Sequence, residues 1–147
     1  MSKELKPLYS KWLPKTLFEM TWEEVADLLK VSDIVLVPTG AMENHGLCLP
    51  LGNDSFKGEE VAKRAARKLE KEGIKVAIMP VVPWGISSCH MDFPGTINLR
   101  PETFMALMED IFRSLIYHGF KNILTWAEHW LCMYPLGTIV RKVNDAH

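Results

Sequence analysis

The segment DIVLVP, residues 33–38, constrains the fold more than any other stretch of this chain. Ile34 to Val37 is an unbroken apolar run, β-branched at three of its four positions. A strand with one wet face would alternate apolar and polar residues. This run instead predicts a strand covered on both faces, as in a parallel sheet flanked by helices. Upstream, Thr21-Trp22-Glu23-Glu24 has the form of a capping box, and Val25, Leu28 and Leu29 give the following short helix an apolar side. Downstream, Pro38, Gly40, Gly46, Pro50 and Gly52 interrupt regular structure. A helix is then predicted from about Ser55, with Val61, Ala62, Ala65, Ala66 and Leu69 at helical spacing and Gly73 as its stop.

Ile74 to Val82 reads as a second strand, and Pro83 to Thr96 as a second irregular loop. Pro101 suits a first helical turn. Phe104, Leu107, Met108, Ile111 and Leu115 form the stripe of the longest helix, which ends at Gly119. Ile123 and Leu124 open a third strand. Alternating strands and helices imply an α/β fold with three layers, a mostly parallel central sheet between flanking helices. A length of 147 residues suffices for one domain with a sizeable core but not for two, so a single domain over 1–147 is expected.

Composition bounds the function. The formal net charge is −1, which argues against nucleic-acid or membrane-surface partners. Cys48, Cys89 and Cys132 are widely spaced and odd in number, which fits a reducing compartment. The start, MSKELKPLYSKWLPK, lacks the apolar core of a signal peptide. Cytoplasmic residence is therefore the expectation.

The stretch GAMENHGLCLPLGND, residues 40–54, sets Glu43, His45 and Asp54 just past the first strand. Parallel sheets bind ligands at the carboxyl ends of their strands. The loops after the three predicted strands all lie at that edge, and they carry His45, His90 and His129, with Asp54 closing the first. Imidazole nitrogen and carboxylate oxygen are ligands that zinc and manganese accept, and a catalytic site leaves one position for water. The same residues also suit a plain polar loop, with solvated carboxylates and Asp54 as a helix N-cap. Spacing alone leaves both readings open.

The longer pattern VPTGAMENHGLCLPLGND resembles the signature of the creatininase (creatinine amidohydrolase) family, P-x-G-[ST]-x-E-x-H-G-x-H-L-P-x-x-x-D. SSCHMDFPGTINL resembles the family's H-x-x-F-P-G-T-[IL]-x-L. GFKNIL is similar to the lead-in of its third motif, N-G-H-[GY]-[GE]-N, and MTWEEVADLL is similar to its opening helix. The resemblance spans about residues 15–124. It implies a metal-dependent amidohydrolase with one or two divalent ions at the strand ends; mixed nitrogen and oxygen ligands suit zinc, manganese, iron or nickel. Glu43 and His45 would each hold an ion, Asp54 would bridge, and His129 would be a further ligand. The ions would acidify a shared water and polarise a scissile carbonyl. His90 would line the pocket, with a helix- or loop-packing role as its other reading, while Phe93-Pro94-Gly95-Thr96 would shape its wall. The expected partner is a small amide, linear or cyclic, and a homo-oligomer is implied.

The chain departs from that pattern in three places. Cys48 replaces the second histidine of H-G-x-H; it is expected to be a buried bystander, with contact to a soft metal as the other reading. Ala127-Glu128-His129-Trp130-Leu131-Cys132 replaces the third motif. His129 keeps its place, Leu131 stands where some members have a carboxylate, and Glu128 is a displaced substitute ligand. Finally, the family continues beyond this point, where it carries further strands, substrate-contacting side chains and a proposed acid–base histidine. The stop at His147 thus leads us to expect a truncated member, and residues 125–147 a diverged end or a frameshift product. A family-like reading frame past the stop in the source DNA would support the latter; its absence would count against it. Trp126 and Trp130 would then cover a bare sheet edge. Two functions follow: a hydrolase of a C–N bond acting through Glu43, His45, Asp54 and His129, or an inactive member that keeps the fold and a metal.

Overall fold

The structure, a computed structural model, describes residues 14–146. Residues 1–13, most of the stretch read for a targeting signal, lie outside the described residues, as does His147. Thr21 caps the first helix, α1 (Trp22–Leu29). Its hydroxyl accepts from the Glu24 N–H at 3.2 Å, while the Glu24 carboxylate accepts from the Thr21 N–H at 2.7 Å. The capping box is therefore formed as the sequence predicts.

The first strand, β1 (Ile34–Thr39), is central in a three-stranded parallel sheet of order β2-β1-β3, with β2 at Ala77–Ile78 and β3 at Asn122–Ala127. Val35 and Val37 face one core with Phe104, Met108 and Phe112, while Leu36 faces the other with Ala62, Ala66 and Ile78. Burial on both faces is what the unbroken apolar run demanded. The strand runs on through Pro38, where the sequence suggested a break. The Pro38 carbonyl accepts from the Val82 N–H at 3.0 Å, and its missing donor falls where β2 has already ended.

Helix α2 (Asn53–Lys71) covers one face. It starts two residues earlier than predicted, and the cap position is Gly52 rather than Asp54. Ala62 and Ala66 are buried but Val61 is exposed. On the other face lie α1, α3 (Pro101–His118) and α4 (Trp130–Asn144). Proline stands at the start of α3, and Gly119, at φ 108°, ends it in the left-handed region that glycine adopts without a Cβ penalty. Phe104, Met108, Phe112 and Leu115 are its buried stripe. These helices and the sheet make the expected three-layer α/β architecture.

Two sequence expectations need correction. The second strand is only Ala77–Ile78, with Thr39 and Val82 forming an isolated bridge further on. Pro80 and Pro83 remove donors on either side of that bridge and prevent a continuous ladder. Nor do Trp126 and Trp130 cover a sheet edge. Trp126 packs against the α2-side cluster, and Trp130 is exposed at the start of α4. The outer edge of β3 has no partner strand among the described residues. Beside it runs a groove of about 700 Å³, bordered by Phe112, Ile116, Ile123, Val140 and Val143. No helix among the described residues is long and apolar enough to cross a membrane.

Candidate metal centre

Three loops meet at the carboxyl edge of the sheet. The first leaves β1 at Gly40, where a Cβ would stand 2.5 Å from Ser55 Oγ and 2.8 Å from the Ser55 backbone. Only glycine lets the chain pass so close to the start of α2. Ser55 Oγ donates to the Ala41 carbonyl at 3.3 Å, fixing that approach. Asp54, one residue earlier, is thereby pulled inward and buried in the first turn of α2, where a helix N-terminus favours a carboxylate. The second loop is stitched across the first by the Met42–Ile97 bridge. Its Phe93–Thr96 turn uses Gly95 at φ 92°. In the third loop the Glu128 N–H donates to the Thr39 carbonyl at 3.0 Å, and His129 follows as the cap of α4.

These connections bring Glu43, Asp54 and His129 together, with one ligand atom from each within 4.8 Å of the others. All three are buried, at 4%, 5% and 3% exposure. His129 Nδ1 lies 2.8 Å from Glu43 Oε1 and 3.7 Å from Asp54 Oδ2. The other face of Asp54 meets His45, whose Nε2 is 3.0 Å from Oδ1. His45 Nδ1 is 3.0 Å from the Glu43 carbonyl oxygen. That oxygen can only accept, so Nδ1 carries a proton and Nε2 is left facing Asp54. Burial pulls the His45 pKa down, but the Glu43 carbonyl and the Asp54 carboxylate outweigh it and raise it above the usual value. His90 ends a short 3-10 turn, Ser88–His90, with Nε2 3.7 Å from Glu43 Oε1. It is partly exposed and borders the cluster rather than joining it.

The cluster fits a divalent ion. Its donors are one imidazole and two carboxylates, a set found on zinc and manganese. The 2.8 and 3.7 Å separations bracket the spacing between ligands that each bond an ion at about 2.0–2.2 Å. Glu43 Oε2 and His129 Nε2 are buried with no hydrogen-bond partner among the described residues, an arrangement that costs stability unless something supplies a contact.

Two sequence readings fail here. Glu128 is turned away: its carboxylate pairs with Lys57 Nζ at 2.9 Å and accepts from the Trp126 indole N–H at 2.9 Å. Cys48 is exposed rather than a buried bystander. The buried thiol is Cys132, which sequence reasoning left without a role. It accepts from the Ile86 N–H at 3.3 Å and occupies the space a Cβ on Gly85 would need, 2.6 Å away. Burial raises its pKa, opposed by the Ile86 N–H and reinforced by the Glu43 and Asp54 charges, so the thiol packs as a neutral group.

A buried cluster of acids and an imidazole at the carboxyl edge of a parallel sheet defines the class: an α/β protein with a ligand site where its strands end. The chain belongs to the creatininase (creatinine amidohydrolase) family, whose profile matches residues 18–147. That match includes 125–147, so the tail is not foreign to the family, and the motive for a frameshift there is gone. The creatinine amidohydrolase of Pseudomonas putida is 31% identical over 118 residues, 76% of this chain and 44% of that protein. The 3-dehydro-scyllo-inosose hydrolase of Thermotoga maritima is 29% identical over 110 residues, 75% and 34% of the two chains. Among solved structures, a manganese creatininase superposes with a TM-score of 0.76 at 25% identity, covering 90% of this chain and 54% of that one. A zinc–zinc form of a mutant creatininase gives 0.74 at 25% identity with the same coverage. The chain thus spans about half the length of these relatives, or less.

Proposed function

We propose that this chain is a metal-dependent hydrolase acting on a C–N bond of a small amide. The observation that carries this reading is the burial of Glu43, Asp54 and His129 within mutual reach, with two of their polar atoms unpartnered. A divalent ion there would lower the pKa of a water molecule and polarise a carbonyl oxygen. The chain's own groups do the rest. Glu43, Asp54 and His129 hold the cation, which would be zinc, manganese, iron or nickel. His45 steadies Asp54 from the far side through Nε2. Partly exposed His90, 3.7 Å from Glu43, stands where a substrate would approach, so it orients substrate or carries a proton. Proton transfer from a positioned group typically contributes about 10²- to 10⁴-fold.

The creatinine amidohydrolase among the relatives supports C–N hydrolysis, while the inosose hydrolase, whose named substrate is not an amide, supports hydrolysis in general and leaves the substrate open. Residues 1–147 are read as one domain. The edge of β3 that has no partner strand among the described residues, where Leu124 is half exposed, supports a homo-oligomer. Three unpaired thiols support a reducing compartment. The test is a screen of small linear and cyclic amides with Mn²⁺ or Zn²⁺, alongside Glu43→Gln. Metal-dependent turnover lost in the variant bears the proposal out. Bound metal without turnover leaves a metal-binding family member that is not a hydrolase of such amides.

A further inference from the structure

Resting on that reading, a finer one concerns how many ions the centre holds. Asp54 divides the site into two halves. On one side its Oδ2 faces His129 Nδ1, which also lies 2.8 Å from Glu43 Oε1. That half has three chain ligands, all buried. On the other side Asp54 Oδ1 meets His45 Nε2 at 3.0 Å. Among the described residues, no third His, Cys, Asp or Glu converges with His45 and Asp54. The nearby acid, Glu128, is committed to Lys57 and Trp126. After His129 the chain continues as Trp130 and Leu131, whose side chains offer no lone-pair donor to coordinate a divalent ion.

Three protein ligands suffice to retain zinc and leave one position for water. Two ligands leave the remaining positions to solvent, and such an ion exchanges readily. We infer that this chain retains one divalent ion, held by Glu43, Asp54 and His129, and no second resident ion beside His45. His45 is then a positioning residue. Its Nδ1 donates to the Glu43 carbonyl at 3.0 Å, which holds the ring with Nε2 against Asp54 Oδ1. Loss of such an outer partner typically weakens metal affinity about 10- to 100-fold.

The test strips the protein with a chelator, reloads it with Mn²⁺, desalts it, and counts metal by plasma mass spectrometry. The wild type is expected to hold one ion per chain and to give the electron paramagnetic resonance signal of an isolated Mn²⁺. His45→Ala is expected to keep that count while binding about 10- to 100-fold more weakly; His129→Ala is expected to lose it. Two ions per chain with an exchange-coupled signal overturn the inference and leave the hydrolase proposal standing. A metal-free wild type overturns both. Because the wild-type count decides, a variant that fails to fold does not blunt the test.

Discussion

Replacing Glu43 by Gln should make the metal-free protein more stable and destroy its response to metal. Glu43 and Asp54 are buried with ligand oxygens no more than 4.8 Å apart. Two unit charges at that distance repel by about 3 kcal/mol at an effective dielectric of about 20. The imidazoles of His129 and His45 offset part of this. Glutamine keeps the shape and a carbonyl that accepts from His129, and removes the charge. The contact to His129 weakens from a charge-assisted hydrogen bond to a neutral one, a loss of about 1 kcal/mol. The expected net gain is about 1–2 kcal/mol. At about 3–4 °C per kcal/mol for a domain of this size, Tm in EDTA should rise by about 3–8 °C. Metal at 100 times its Kd should stabilise the wild type by about 2.7 kcal/mol, whereas Glu43→Gln should show almost none of that rise. Differential scanning calorimetry with EDTA and with excess Zn²⁺ supplies both comparisons. A variant that melts well below wild type in EDTA, or keeps the full metal-induced rise, would refute the reasoning. Glu43 would then be a structural acceptor and not a ligand.

Two glycines should respond in opposite directions. Gly40→Ala sets a Cβ 2.8 Å from the Ser55 backbone and should cost about 1–3 kcal/mol, or more if α2 cannot shift. Gly137→Ala, exposed in α4 with nothing within 4 Å of the new atom, should add up to about 1 kcal/mol through helix propensity. Urea midpoints check both, and a neutral Gly40→Ala would show that α2 does not dock on that loop. His45, whose folded pKa is raised above the usual value of about 6.5, should stabilise metal-free protein fully below about pH 6.5. That contribution should vanish as pH rises through the folded pKa. The stability gap between wild type and His45→Gln in EDTA should therefore close from pH 6 toward pH 8; a gap that widens would contradict the His45–Asp54 contact.

Much of this was legible from residue patterns, and the failures have local causes. Ile34–Val37 announced a doubly covered strand because no polar residue interrupts it, and the structure buries its flanking faces on two different clusters. The α3 stripe was equally clear, since Phe104, Met108 and Leu115 recur at helical spacing. By contrast, Ile74–Val82 is apolar enough for a strand, yet Pro80 and Pro83 limit pairing to two residues and a bridge. Helix α4 went unrecognised because Pro135 and Gly137 sit inside it. Both disfavour helix, and they hide the buried stripe of Cys132, Leu136, Ile139 and Val143 that packs it in place. At the centre, spacing left the site open, and the family resemblance singled out Glu43, His45, Asp54 and His129, of which Glu43, Asp54 and His129 converge while His45 sits against Asp54. Neither could say which way neighbouring side chains point, so Glu128, one residue from His129, passed for a ligand while bound to Lys57 and Trp126 on the other side.

The claim that Glu43, Asp54 and His129 form a cation site is tested most directly by a crystal grown with Zn²⁺ and measured on both sides of the zinc absorption edge. The account predicts an anomalous peak about 2.0–2.2 Å from one atom of each of the three side chains. A map with no peak there, and with the two carboxylates turned apart toward solvent or other partners, would contradict it.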